Sequence, residues 1–74
     1  MTVDELLAKL DAEYDRLESE LPAHYLAYRR FRYTYPTDTG YHSDKYDIER
    51  KRARQGEIRS FQNDIRRELE RVTA

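Results

Sequence analysis

Residues 3–21, Val3-Asp4-Glu5-Leu6-Leu7-Ala8-Lys9-Leu10-Asp11-Ala12-Glu13-Tyr14-Asp15-Arg16-Leu17-Glu18-Ser19-Glu20-Leu21, decide the fold class. Val3, Leu7, Leu10, Tyr14, Leu17 and Leu21 recur at alternating steps of four and three. That spacing puts them on one face of a helix as an a/d seam of period 3.5. Thr2 and Glu5 stand as T-x-x-E just ahead of it, a capping box that opens the helix.

The same frame continues through His24, Tyr28 and Phe31. Pro22 interrupts it, and an internal proline removes one backbone bond and bends or ends a helix. Because the seam stays in phase across Pro22, which falls on the solvent side, the expectation is one helix over about 3–33, kinked or broken at 21–22. Residues 34–43 are turn formers: Pro36 pushes Tyr35 from the helical region, Gly40 permits a positive φ, and Ser43 or Asp44 can cap the next helix. That second helix is predicted over about 44–72, with Ile48, Lys51, Gln55, Ile58, Gln62, Ile65, Leu69 and Val72 as its seam and Phe61 beside it.

Two near-equal helices joined by a ten-residue loop predict an all-α, single-domain antiparallel hairpin over 1–74. A compact three-helix bundle, with a true break at Leu21-Pro22, is the alternative. The charges favour the hairpin. Residues 1–23 carry net −5, residues 24–54 net +4, and residues 55–74 are neutral, which the overall −1 conceals. With Leu7 as a, the e positions are Asp4, Asp11, Glu18 and Tyr25; with Ile48 as a, they are Lys45, Arg52, Arg59 and Arg66. Antiparallel pairing brings e opposite e. Folding about the middle of the loop places Asp11 by Arg66, Glu18 by Arg59 and Tyr25 by Arg52, with Glu20 near Arg54. Such exposed pairs are worth only about 0.2–1 kcal/mol each, so their role is to select register and orientation.

The core is thin. Leu, Ile, Val and Phe make up 14 of 74 residues, and Lys51, Gln55, Gln62 and His24 intrude on the seam. Chains of this size usually recruit another element or another chain. Leu6, Leu26, Ala27 and Tyr33 lie off the seam and can serve a second contact, so dimerisation to a four-helix bundle or docking on a partner is expected.

The function classes narrow by exclusion. No cysteine means no disulfide framework, no cysteine-ligated zinc and no thiol nucleophile. No apolar run approaches a membrane span, and the acidic start lacks a signal-peptide stretch, so an intracellular (cytoplasmic) soluble protein is expected. Asp38-Thr39-Gly40 matches the triplet of aspartic proteases, but that chemistry needs a β-barrel lobe and nothing here reads as strand; a turn accounts for it. His24, His42, Asp38 and Asp44 have no helical i, i+4 pair among them, so no metal site is expected; His24 reads as a polar core residue and His42 as an exposed loop residue. No nucleophile motif, P-loop or dinucleotide fingerprint occurs, so neither catalysis nor a cofactor is expected.

One cluster carries the functional expectation: Tyr25, Arg29, Arg30, Arg32, Tyr33 and Tyr35 on the first segment, brought by the hairpin near Tyr41, Arg50 and Arg54. Tyrosine and arginine dominate protein-interface hot spots. The expected function is a non-enzymatic protein-binding module, adaptor or inhibitor of a larger protein, with the size and charge of phage or mobile-element accessory proteins. The runner-up is a nucleic-acid-binding hairpin, with arginine on phosphate and tyrosine on bases. A net charge of −1 and a pI near 6.1 weigh against it. A structural part that only oligomerises, and an acidic first segment imitating nucleic-acid phosphates, are the remaining readings.

Overall fold

A computed structural model describes residues 1–38 and 42–73. Two helices make up the described fold: α1, Val3–Thr34, and α2, Ser43–Thr73. The Thr2 hydroxyl accepts from the Glu5 amide at 3.1 Å, satisfying one of the orphan donors of the first turn. At the other end of α1 the Tyr35 amide donates to the Phe31 carbonyl at 2.8 Å. Pro22 lies inside α1 and is exposed, so the seam does continue across it. Of the two expectations, a kink or a break at 21–22, the break is ruled out by a continuous α1, and with it the three-helix alternative. Gly40, Thr39 and the candidate Tyr41 lie outside the described residues.

α1 and α2 pack side by side and antiparallel, bringing Leu7 to Gln62 and His24 to Asp44. Among the described residues Leu10, Leu17, Leu21 and Ile58 are the buried apolar ones, with Leu6, Tyr14 and Ile65 packed against the cluster. The intruders on the seam are accommodated by hydrogen bonds. Gln62, fully buried, donates from Nε2 to the Leu7 carbonyl at 3.3 Å and to Asp11 Oδ1 at 2.8 Å. Its Oε1 accepts from Arg59 at 2.8 Å. One heptad earlier on α2, Gln55 repeats the pattern, donating to the Tyr14 carbonyl and Glu18 and accepting from Arg52. Among the described residues no buried side-chain polar atom lacks a partner.

The e-to-e pairing is present, with Tyr25 by Arg52 as expected, but the charge pairs stand one heptad from the expected register. Asp11 meets Arg59 at 2.8 Å rather than Arg66, and Glu18 meets Arg52 at 2.8 Å rather than Arg59. On the other flank Glu20 meets Lys51 at 2.7 Å, while Arg54 reaches Glu13 at 2.9 Å instead of Glu20. Just ahead of α2, the His42 ring lies beside the last turns of α1, 4.1 Å from the Phe31 ring and 5.8 Å from Tyr28. Arg32 donates to the Asp38 carbonyl at 2.9 Å. α2 therefore starts about one heptad short of the end of α1, about 10 Å of helix. The same offset reappears at the far end, where α2 runs past the start of α1. Helices of about 47 Å thus give a rod 57 Å long and only 18 × 14 Å across.

Candidate interaction surface

The register determines which charges are used up within the fold. Asp11, Glu13, Glu18 and Glu20 of α1 each hold a basic partner on α2. Hydrogen bonds from Gln62 and then Arg59 hold the Asp11 carboxyl below its ordinary value. Arg54 does the same for Glu13, Gln55 for Glu18, and Lys51 for Glu20. Arg59 also lies 3.8 Å over the Tyr14 ring, a cation–π contact that covers the middle of the rod. These four carboxylates are engaged side by side with cations of α2.

The last two turns of α1 are different. Arg29 and Arg30 are exposed, and among the described residues neither pairs with a carboxylate. Arg32 is exposed and directs one N–H to the Asp38 backbone carbonyl. Tyr33 is 91% exposed, Leu26 62% and Tyr35 55%. Leu26, Arg29, Arg30 and Tyr33 stand at i, i+3, i+4 and i+7, a single stripe facing away from α2. Leu26, read from the sequence as an off-seam residue for a second contact rather than as a member of the Arg/Tyr cluster, shares this stripe with Arg29 and Tyr33.

Other expected members are placed elsewhere. Tyr25 is half-buried, with its hydroxyl accepting from Arg52 Nε at 3.3 Å and its ring 5.9 Å under that guanidinium. It is part of the helix–helix contact. Arg50 sits at the start of α2, paired with Asp47 at 3.3 Å and 5.9 Å over the Tyr46 ring. Arg54 lies midway along the rod between Glu13 and Glu57, away from the Arg/Tyr end, because the heptad shift carries it toward the acidic half of α1.

His24 is half-buried in a chain of polar contacts that locks the first turn of α2 onto α1. Carboxylates only accept and ammonium groups only donate, which fixes the tautomer. His24 Nδ1–H therefore donates to Asp44 Oδ1 at 3.0 Å, and Nε2 accepts from Lys51 Nζ at 2.9 Å. His42, expected in the open, is half-buried against Phe31 and accepts at Nδ1 from the Asp44 amide at 3.2 Å. His24, Asp44 and Asp47 bring one ligand-type atom each to within 4.8 Å of the others. The His24 and Asp44 atoms of that set are joined by the hydrogen bond of this lock.

Among the described residues no helix is long and apolar enough to cross a membrane. Compared with protein-family models, with curated proteins and with solved structures, the chain shows no match.

Proposed function

We propose that this chain is a small non-enzymatic binding module, an adaptor or inhibitor that docks the Arg/Tyr end of α1 on an acidic face of a larger protein. The observation that carries this reading is the contrast in charge use along α1. Four carboxylates of its first half, Asp11, Glu13, Glu18 and Glu20, are matched by cations of α2, while Arg29 and Arg30 keep their charge among exposed Leu26, Tyr33 and Tyr35. Arginine and tyrosine flanked by an apolar side chain are the usual anchors of protein interfaces. Such a module acts inside the cell, and the accessory proteins of phages and mobile elements are the kind of protein it fits.

The experiment is a charge reversal. Arg29, Arg30 and Arg32 changed together to Glu should leave far-UV circular dichroism unchanged and abolish retention of a protein captured by the unaltered chain. Retention by both forms would retire this end as the site. Nucleic acid is the second reading, favoured by three neighbouring arginines beside two exposed tyrosines. A salt-dependent shift of labelled RNA or DNA at micromolar protein would replace the first reading with it.

Self-association completes the reading. Four buried apolar side chains among the described residues are a small core for a chain of this size. A second copy is the natural source of further burial, with a four-helix bundle as one form of it.

A further inference from the structure

We propose that two copies of this chain join end to end across a two-fold axis at the α2 overhang, leaving their arginine ends at opposite tips of the dimer. The inference rests on the self-association reading and specifies its surface.

In the observed register Val3 lies near the level of Arg67, so the last turns of α2 extend beyond α1. The overhang exposes Val72 (82%) and Leu69 (38%), and the paired end next to it exposes Phe61 (50%) and Val3 (42%). They line one apolar groove of about 370 Å³, together with Ile65. A step of this kind is its own complement. Turned by 180°, a second hairpin lays its overhang on the shelf where α1 of the first stops short, and receives the first overhang in return. An isologous contact requires this self-matching.

Charge selects the same end. The two acids lining the groove, Asp64 and Glu68, each have an arginine beside them, Arg67 and Arg71, which offsets their charge when two copies meet. The Asp64–Arg67 and Glu68–Arg71 contacts are long, 3.9 and 3.7 Å, with side chains at least 65% exposed. A two-fold neighbour can exchange these partners between copies. The opposite end cannot pair with itself, because Arg29, Arg30 and Arg32 would face their own kind. Two rods of 57 Å overlapping by about 10 Å give a particle about 100 Å long. Each dimer then presents two arginine ends that a partner can engage together, with a corresponding gain in avidity.

The test combines light scattering with small-angle X-ray scattering on the full chain. The expected result is twice the 9.0 kDa chain mass and a maximum dimension of about 100 Å. Val72→Asp, at a residue already open in the single hairpin, should halve the mass while helicity persists; Leu69→Asp serves as a second variant. A dimer no longer than the single rod would overturn the end-to-end joint while leaving self-association intact. A mass equal to one chain at all accessible concentrations would overturn both.

Discussion

Gln62 Nε2 lies 2.8 Å from Asp11 Oδ1, a buried amide reaching outward to a carboxylate on the opposite helix. The amide also bonds to the Leu7 carbonyl and to Arg59, so the whole layer is set by one side chain. Gln62→Ala should cost about 1–3 kcal/mol in urea unfolding, because these partners lose their bonds and a void opens. Gln62→Leu loses the same bonds but fills the space, so it should cost less than alanine by the void alone while weakening the register. A Gln62→Leu variant as stable as the unaltered chain, with the helix pairing unchanged, would contradict a register role.

Acid should loosen the rod. Asp11, Glu13, Glu18 and Glu20 are all held below their ordinary values by hydrogen bonds from α2 and neighbouring cations. A depressed carboxyl contributes stability that is fully present above its unfolded value and disappears as pH falls through its folded one. Those unfolded values are about 3.8 for Asp and 4.5 for Glu. Thermal midpoints should therefore hold on the neutral side and fall below about pH 4.5. A midpoint that stays level down to about pH 2 would show that these contacts contribute nothing.

Two positions invite stabilisation. Nothing stands within 4 Å of a Cβ built on Gly56, inside α2, so Gly56→Ala should add about 0.5–1 kcal/mol. Pro22→Ala restores a backbone donor inside α1 and should add up to about 3 kcal/mol. Chemical denaturation checks both, and no gain at Pro22 would mean that α1 already accommodates the missing bond.

The small core should be intolerant of truncation. Leu21 and Ile58 are each 1% exposed, and Leu21→Ala or Ile58→Ala should cost about 2–5 kcal/mol. Loss on that scale is a large share of the stability of so small a domain. Circular dichroism at room temperature should show a partly unfolded chain for either variant and full helicity for the exposed-site control Leu26→Ala.

The helices were legible because Thr2, Glu5 and the 3–4 spacing of Leu7, Leu10, Tyr14 and Leu17 are local signals. The register was not. An acidic stripe opposite a basic stripe stays complementary after a slip of one heptad, so Asp11 finds an arginine either way. What separates the two registers is non-local: the packing of His42 against Phe31, and the fit of Gln55 and Gln62 to the Tyr14 and Leu7 carbonyls. The displacement of Arg54 from the arginine end is a consequence of that slip. Arg29, Arg30 and Tyr33 lie off the seam, so their exposure could be read directly, and Leu26 belongs to the same stripe by the same reasoning.

The register decides which cations are occupied and which end stays charged, so it is tested most directly by swapping a single pair. Asp11→Arg should lower the melting temperature by placing like charges together. Adding Arg59→Asp should restore it, because those two residues meet at 2.8 Å, whereas adding Arg66→Asp, the more distant of the two cations acting on the Asp11 carboxyl, should restore clearly less. Restoration by Arg66→Asp and none by Arg59→Asp would place the helices one heptad away and contradict the account.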